Sequence, residues 1–530
     1  MLSLDDVLMG ARFLGKVPSF LRHPITLEEA RATLRQRLER RETDFLVLVK
    51  RAVYENPPSP YRQLLRLAGC EFGDLERLVW QDGVEGALRV LFRHGVYLTL
   101  DEFKGRRVVG RGRSALQVDP SQLRNPLVAG HLAGQTGGSR GRRTSVPRNL
   151  AFIRDGAVND LLALAAHGYQ ALAPAIWKVP GGDAIWSLLR CAACGVPARR
   201  WFSQIDPASA ELSARYRWSA HVLRVGGALA RVRFPAPEYV SLDAPRPIVD
   251  WMTGVLRAGG TPQLLTSVSG AVRVCGAALD AGIDLTGARF MMGGEPTTAA
   301  RLAIVRRAGA EGQPRYASTE TSVIALGCLA PDQPDDLHVF HDLHALIHAG
   351  TDAPGTRLPA WSLLVSSLRA TAPLMLLNVS LGDQAVLVKR RCGCPLEGLG
   401  WTTHLHTIRS FEKLTAGGMQ FLDADVVRVL EDVLPSRFGG APTDYQLVEE
   451  GTDAGRPCLR LLIRPEVGPL DPDAVAQAFL AAIGTGFGPE KVMGLLWREA
   501  KLLEVERRAP LATASGKILH LHIAPDHADP

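Results

Sequence analysis

The sequence lacks the features that mark membrane and secreted proteins. No stretch reaches the roughly 18 uninterrupted apolar residues of a membrane-spanning helix, so no membrane span is expected. Only 8 of its 530 residues are cysteine, which excludes a disulfide scaffold and favours a reducing compartment. The first residues, Met1–Asp6, are acidic and lack the basic start of a signal peptide. We therefore expect a soluble, cytoplasmic protein.

Lysine is also scarce. Of the 61 basic residues only 9 are lysine, and we attribute this skew to coding bias. Each remaining lysine is informative, because arginine replaces lysine wherever a generic cation suffices. The net charge is +7, but the one basic cluster, Arg140–Arg143 with Arg148, lies in a glycine-rich turn without aromatic neighbours. Nucleic acid is therefore not expected as a partner, and a small anionic ligand is favoured.

The pattern of apolar residues changes twice along the chain. The first hundred residues have helical spacing. From Thr261 short strands and helices alternate, which predicts a parallel α/β sheet. Beyond Thr415–Gly418 the order predicts a compact α+β unit, with two domains meeting near residue 410. The predicted elements are helices at Leu27–Arg41, Tyr61–Leu67, Val84–Phe92, Gly270–Ala281, Thr297–Ala308, Asp423–Leu434 and Asp471–Ile483, and extended segments at Gln263–Val268, Ala288–Met292, Pro314–Ala317, Leu459–Ile463, Lys491–Leu496 and Leu502–Val505.

Five short segments carry side chains suited to binding a nucleotide. The first, Gly134–Thr144, combines glycines, hydroxyls and arginines, whose donors can surround phosphate oxygens. It lacks the lysine of a G-x-x-x-x-G-K-[ST] loop, and no ribose-binding acid follows it in a clear βαβ unit, so a dinucleotide fold is not expected. The other four are Gly293–Pro296, Tyr316–Glu320, Gly382-Asp383 and Ala514–Lys517. Taken singly, each is more often an ordinary turn.

The order of these segments resembles the adenylate-forming superfamily of acyl-CoA synthetases, peptide-synthetase adenylation domains and luciferases. Within it, Pro58–Arg62, Leu65–Gly69 and Leu98–Lys104 resemble segments of the phenylacetate–CoA ligases. The resemblance spans about residues 45–520. It implies an α/β fold with a large N-terminal adenylation domain of mixed sheets and a small mobile α+β C-terminal domain. The implied division is a helical extension at 1–44, a nucleotide- and carboxylate-binding domain at 45–409, and a C-terminal domain at 410–530.

The resemblance also implies a role for each candidate residue. Lys517 would be the catalytic lysine and Arg409 the arginine before a hinge at Ser410–Glu412. A cation suits the Lys517 position because attack on the α-phosphorus builds negative charge; the alternative is a surface lysine after a turn. The implied nucleotide contacts are a pyrophosphate loop of Thr136, Gly137, Gly138, Ser139, Arg140, Gly141 and Thr144, an adenine site of Gly294, Glu295, Pro296 and Tyr316, the α-phosphate at Thr319, Mg²⁺ at Glu320 and the ribose at Asp383.

Several positions depart from the family pattern. Gly137 and Arg140 replace a serine and a threonine of the phosphate loop, Ala317 replaces a glycine, and Phe411 replaces the first hinge aspartate. Arg140 would either bind phosphate more strongly or block the loop. These departures raise a second hypothesis, a catalytically silent homologue that acts as a binding or partner protein.

A metal site is predicted separately. Cys392-Gly393-Cys394 is too tight for an unstrained disulfide but suits two ligands of one tetrahedral ion. The phenylacetate-ligase group resembles this chain further in a cysteine and a histidine upstream, here Cys328 and His338, so the resemblance implies a structural zinc held by Cys328, His338, Cys392 and Cys394. His341 and His344 are substitutes for His338, and Asp342 is a candidate partner of the ligands. The alternative is that the thiols pack as small apolar groups, as we expect of Cys191 and Cys194.

The expected reaction is ATP-dependent activation of a carboxylate to an acyl-adenylate, with release of pyrophosphate. After rotation of the C-terminal domain, a thiol would take the acyl group. CoA is the default acceptor, and a carrier-protein thiol or an enzyme cysteine is left open. An aryl or arylacetic acid is the subgroup's default substrate, and a homodimer is neither favoured nor excluded.

Overall fold

The computed structural model describes residues 4–135, 145–168, 171–209, 214–350, 356, 358–411, 415–416, 419–420, 424–451, 457–483, 503–513 and 515–523. The predicted phosphate loop 136–144, Glu412 of the hinge and the predicted strand 491–496 lie outside these residues. Within them, we find no helix both long enough and apolar enough to cross a membrane.

Most of the helices lie in the first three fifths of the chain. Their bounds are α1 Leu4–Arg22, α2 Leu27–Glu39, α3 Arg41–Val49, α4 Pro60–Leu67, α5 Phe72–Arg93, α6 Leu100–Phe103, α7 Leu150–Ala166, α8 Gly182–Ala193, α9 Ala214–Leu229, α10 Arg246–Arg257, α11 Val268–Asp280, α12 Ala299–Arg307, α13 Ala424–Arg428, α14 Leu434–Phe438 and α15 Pro472–Ile483. A π-helical turn at Val429–Val433 joins α13 to α14.

The strands form one large sheet and several small ones. Their bounds are β1 Val109–Arg111, β2 Ser114–Leu116, β3 Leu132–Gln135, β4 Ser145–Arg148, β5 Leu172–Trp177, β6 Arg200–Ser203, β7 Pro237–Tyr239, β8 Thr261–Ser267, β9 Arg289–Gly293, β10 Glu311–Ser318, β11 Ser322–Gly327, β12 Leu337–Val339, β13 His344–His348, β14 Ser362–Ser367, β15 Val379–Lys389, β16 Thr403–Ser410, β17 Thr415–Ala416, β18 Met419–Gln420, β19 Tyr445–Gly451, β20 Pro457–Ile463, β21 Leu503–Glu506 and β22 Leu521–Ile523.

The large sheet has twelve described strands in the order β13-β14-β15-β16-β12-β11-β10-β9-β8-β5-β6-β7. From β10 to β7 neighbouring strands are parallel, and from β10 to β13 they are antiparallel. The parallel half is covered by helices, and its strands β5 and β8 are almost continuously buried, as strands with two covered faces require. The alternation from Thr261 therefore predicted the local order correctly, and the mixed α/β fold is confirmed.

The first helices pack into the same apolar cluster as helices α7, α8 and α9. Phe13 and Val17 of α1 are fully buried in the cluster that includes Leu223 of α9. A Cβ on Gly226 would lie 2.4 Å from Val17 Cγ1, so glycine permits the close approach of these two helices. Helix α3 runs through the predicted boundary at residues 44 and 45 without a break. The division of the chain into domains stays a prediction.

The C-terminal segment has a four-stranded sheet of its own, in the order β21-β20-β19-β22. Helix α15 and the helical stretch from α13 to α14 pack on it, and their apolar residues form a separate buried cluster around Phe479 and Leu461. The helix predicted at Asp471–Ile483 and the strands predicted at Leu459–Ile463 and Leu502–Val505 are confirmed, whereas β19 and β22 were not predicted. The turn that precedes β22 carries Lys517 and Ile518 to the end of β9 in the large sheet, at the site described next.

Candidate functional site at the strand ends

The parallel strands β5, β8, β9 and β10 end at the same edge of the large sheet. The residues that follow them bring polar side chains together, because the carboxyl ends of parallel strands form one crevice. Lys178 follows β5, Ser269 lies just beyond β8, Gly294 follows β9 and Thr319 follows β10. Two of the five predicted segments, Gly293–Pro296 and Tyr316–Glu320, therefore meet here.

Lys517 reaches this edge from the C-terminal segment. A Cβ on Gly294 would lie 2.6 Å from Lys517 Nζ, so the ammonium rests against the main chain of that glycine. Gly516 has φ +71, a conformation that favours glycine, and its carbonyl accepts a hydrogen bond from Arg273 Nη1 at 2.9 Å. The glycine turn before Lys517 thus holds the lysine at the ends of β9 and β8.

The Glu295 carboxylate fixes this arrangement. It accepts hydrogen bonds from Ser269 N at 2.8 Å, from Ser269 Oγ, and from Ile518 N at 2.9 Å. Its side chain is fully buried. Because Ile518 directly follows Lys517, Glu295 acts as a positioning residue for the lysine. The Glu295 carboxylate is engaged by these hydrogen bonds. That Glu295 lines an adenine site stays a prediction.

Tyr316 and Asp383 come from distant segments and meet directly. Tyr316 Oη donates to Asp383 Oδ2 at 2.8 Å. Burial, with the Asp383 charge acting in the same direction, holds the pKa of Tyr316 well above its usual range, so the phenol stays neutral. The pair puts an aromatic ring beside a carboxylate. The predicted adenine contact of Tyr316 and the predicted ribose contact of Asp383 stay predictions.

Glu320 is engaged by a cation. Lys104 Nζ lies 2.6 Å from Glu320 Oε1, and both side chains are about nine-tenths buried. Arg148 donates to the Thr319 carbonyl at 3.0 Å, and its guanidinium lies 4.2 Å from the centre of the Trp186 ring. The predicted phosphate and magnesium residues are therefore surrounded by positive charge, which suits a polyphosphate ligand.

Arg409 lies on the strand that pairs with the Asp383 strand, but its side chain contacts another residue. Its Cα is paired with that of Gln384, and Asp383 is paired with Ser410. The Arg409 guanidinium contacts Asp335 Oδ2 at 3.3 Å. The strand pairing explains how Arg409 comes close to Asp383, and its predicted catalytic role stays a prediction.

Cys328, His338, Cys392 and Cys394 converge in one cluster, with one ligand atom from each within 4.8 Å of the others. The two sulfurs of Cys328 and Cys394 are 3.9 Å apart, and His338 Nε2 lies 3.6 Å from Cys392 Sγ. Zinc with bonds of about 2.0–2.3 Å in tetrahedral geometry separates its ligand atoms by roughly 3.5–3.8 Å. The 3.9 and 3.6 Å separations are close to these values, and the 3.1 Å between His338 Nε2 and Cys394 Sγ is shorter, so a small shift of His338 would complete a tetrahedral set.

The surroundings of the cluster assign the role of each histidine nitrogen. His338 Nδ1 lies 2.6 Å from the Trp401 carbonyl, so Nδ1 donates there and Nε2 keeps its lone pair for the cluster. Asp342, the predicted partner, instead accepts from Asn159 and from Trp401 Nε1. His344 lies outside the cluster.

A second group, Cys328, Asp336 and His404, also has ligand spacing. Asp336 is already paired with His404 at 2.7 Å and with Arg390. These contacts satisfy the Asp336 carboxylate, so the Cys₃His set is the better metal site. Cys194 packs in the apolar core and Cys191 at its edge, as predicted.

Sequence reasoning did not identify Lys178. Its Nζ lies 2.6 Å from Asp183 Oδ2 and donates to Ser187 Oγ at 2.9 Å. Burial lowers the pKa of Lys178 to about 8, although Asp183 acts in the opposite direction. The scarcity of lysine was the available signal, since three of the nine lysines, Lys104, Lys178 and Lys517, lie at this edge of the sheet.

A buried ionic network connects α12 to the C-terminal segment. Arg301 Nε lies 2.6 Å from Glu431 Oε1, and both side chains are about 1% exposed. Glu431 also accepts from Thr298 Oγ1 and contacts His520 Nε2 at 2.5 Å. Arg301 Nη1 lies 3.5 Å from Glu295 Oε1, which continues the network to the residue that positions Lys517.

The structure was compared with solved structures of other proteins. The structure is similar to the crystal structure of 2-hydroxyisobutyryl-CoA ligase in the postadenylation state in complex with 2-HIB-AMP, with a TM-score of 0.52, 14% identity, and coverage of 96% of this chain and 91% of that chain. The same ligase with 2-HIB-AMP and CoA in the thioesterification state gives a TM-score of 0.44, 15% identity, and coverage of 95% and 91%. ATP-bound MatB from Rhodopseudomonas palustris gives 0.43, 12% identity, and coverage of 76% and 68%.

At such low sequence identity, structural similarity shows the fold alone. Of the three TM-scores, only the first, 0.52, is high enough to support that conclusion. No family model and no curated protein matches the sequence.

Proposed function

We propose that this chain, which has the fold of the adenylate-forming acyl-CoA ligases, activates a carboxylic acid with ATP. The carboxylate oxygen attacks the α-phosphorus, pyrophosphate leaves, and an acyl-adenylate forms. A thiol then displaces AMP to give a thioester. CoA is the proposed acceptor of the acyl group. An aryl or arylacetic acid is the proposed substrate, as the resemblance to the phenylacetate–CoA ligases implies.

One observation carries this proposal: Lys517, Glu295, Thr319 and the Tyr316–Asp383 pair meet at one edge of the sheet although they lie up to 222 positions apart (517 − 295). Lys517 would stabilise the charge that develops between the carboxylate and the α-phosphate. Asp383 would hold the ribose hydroxyls and Tyr316 would line the adenine. Magnesium would neutralise phosphate charge, and the Glu320 oxygen that does not face Lys104 is the protein ligand we propose for it.

The test of this function is carboxylate-dependent exchange of labelled pyrophosphate into ATP, over a panel of aryl, arylacetic, fatty and amino acids. We expect exchange with one class of acid and none without acid. Thioester formation is then measured with CoA and, separately, with a carrier-protein thiol. Exchange without thioester formation on CoA would retain adenylation and move the acceptor to a protein thiol or an enzyme cysteine.

The Lys104–Glu320 ion pair favours a second candidate function, that of a catalytically silent homologue that binds a nucleotide or a partner. The ammonium of Lys104 contacts the carboxylate proposed for magnesium, and a protein that only binds a nucleotide or a partner has no need of that metal. Absence of exchange across the whole panel, together with measurable ATP binding, would favour this silent homologue over the enzyme.

We propose zinc at Cys328, His338, Cys392 and Cys394, in a structural role. The ion would fasten the end of β11 and strand β12 to the loop between β15 and β16, and β11 begins directly after the Thr319–Thr321 turn. No ligand position would stay open for a reaction, as is usual for structural zinc.

Replacement of Cys394 by serine is expected to remove most of the bound zinc and to lower the melting temperature, because a structural ion contributes directly to folding. Metal content is measured by elemental analysis of the purified protein, and the melting temperature by calorimetry. The matched control is Cys275→Ala, which changes a buried thiol outside the cluster. Equal zinc content in wild type and Cys394→Ser would show that these four residues do not hold it.

A further inference from the structure

A small, partly open cavity lies between α7, α8 and the face of the parallel strands. Ser187 lines it and accepts from Lys178, which stands at the carboxyl end of β5. Arg315 lines it from β10, opposite Gly293 of β9. A Cβ on Gly293 would lie 2.9 Å from Arg315 Cγ, and Lys517 rests against the next residue, Gly294, so the Arg315 side chain lies close to the proposed reaction site.

The wall of this cavity is apolar except for a few polar groups. Leu164, Leu265 and Met291 supply apolar surface. Arg190 is fully engaged: it forms an ion pair with Asp160 at 2.5 Å and donates to the Gly156 carbonyl at 2.9 Å. The charges of Arg190 and Asp160 therefore offset each other.

Arg315 has no such partner. Among the described residues, the one acceptor that its guanidinium reaches is Met291 Sδ, at 3.8 Å, and a thioether is a weak acceptor. Its Nε is buried without a hydrogen bond. Burial lowers the pKa of Arg315, but an arginine keeps its charge in a protein. The Asp183 and Asp160 carboxylates favour the charge of Arg315 from a distance, but neither accepts a hydrogen bond from it. A buried guanidinium without a hydrogen-bonded carboxylate is costly unless a ligand supplies one.

We infer that Arg315 binds a second anionic group on the substrate, so that the acid activated here is a dicarboxylic acid. This inference rests on the proposed function. One carboxylate would lie near Lys517 and attack ATP, while the other forms a charge-assisted hydrogen bond with Arg315. A small apolar body between the two groups would fill the cavity against Leu265 and Met291.

The experiment compares acids in pairs that differ in one carboxylate: glutarate with pentanoate, and terephthalate with benzoate. Pyrophosphate exchange and the acid-dependent rise in melting temperature are both measured, the second because it does not require turnover. We expect wild type to prefer the dicarboxylic member of a pair by roughly 10²-fold, the scale of one hydrogen bond to a charged group. Arg315→Met, which keeps most of the volume, is expected to lose this preference.

Arg315→Lys, which keeps the charge, is expected to retain part of the preference, and Arg306→Met is the control because Arg306 lies exposed on α12. Exchange with monocarboxylic acids alone in wild type would overturn the inference and leave the proposed function intact. An equal loss with both members of a pair in Arg315→Met would overturn it as well, because Arg315 would then hold the reacting carboxylate. If no acid supports exchange, the proposed function fails. In that case a rise in melting temperature with dicarboxylic acids that Arg315→Met abolishes still supports the anion site. If dicarboxylic acids cause no such rise, the anion site is refuted.

Discussion

Replacement of Lys517 by alanine is expected to lower pyrophosphate exchange by at least roughly 10²-fold, the scale of one lost contact to a charge that develops in the transition state. The ammonium is held by the turn at Gly516 and lies against Gly294, at the ends of the strands that carry the proposed nucleotide contacts. Transfer of the acyl group from a chemically prepared acyl-adenylate is expected to change much less, because that step does not need the same cation.

The control for this variant is Lys389→Ala, which removes an exposed lysine near the end of β15. Lys517→Arg is informative as well. An arginine has a larger head group, and the space beside Gly294 is tight, so we expect it to restore only part of the exchange. Unchanged exchange in Lys517→Ala would remove Lys517 from the mechanism.

Replacement of Arg301 by methionine is expected to lower the free energy of unfolding by about 3–5 kcal/mol, the cost of leaving a buried charge without its partner. Glu431 would lose its ion pair, and Glu295 would lose its nearest cation. The midpoint of urea unfolding is the measurement, with Arg306→Met as the exposed control on the same helix.

The double variant Arg301→Met with Glu431→Gln separates this effect from a loss of packing. Because the second change removes the unpaired charge, we expect the double variant to regain much of the stability. Pyrophosphate exchange is expected to fall in Arg301→Met, since Glu295 also holds Ile518 and thereby Lys517. Equal stability of Arg301→Met and wild type would show that the network does not hold the C-terminal segment on α12.

The same network predicts how stability depends on pH. Burial would raise the pKa of Glu431, but Arg301 and His520 outweigh it and lower that pKa from 4.5 to about 2. Below 4.5 the unfolded chain binds a proton that the folded protein does not, so the network's stabilisation is present above pH 4.5 and is lost as the pH falls toward 2. Burial also lowers the pKa of His520 below 6.5, which adds a loss of stability with the same sign below that pH. Removal of Arg301 is expected to flatten the dependence between pH 4.5 and 2.

Much of the local structure followed from the sequence alone. The helices and strands between Thr261 and Ala317 lie where the periodicity predicted them, because buried strands and amphipathic helices leave a direct record in the apolar pattern. The order of short motifs resembled that of adenylate-forming enzymes, and the structure is similar in fold to 2-hydroxyisobutyryl-CoA ligase. The four zinc-ligand candidates also emerged from spacing together with resemblance, and the structure brings them within ligand distance of one another.

Only the tertiary structure decided which side chains meet across long separations. The packing of helices and strands decides that Lys104 faces Glu320, that Arg301 pairs with Glu431, and that Arg315 faces a cavity. A single sequence carries no signal for such pairs. Arginine was especially difficult to interpret, because 52 arginines conceal the few that are buried. The sequence determined the elements and the class of chemistry, since those depend on local pattern and residue type. The partners of the buried charges required the fold, because burial and distance decide which charges interact.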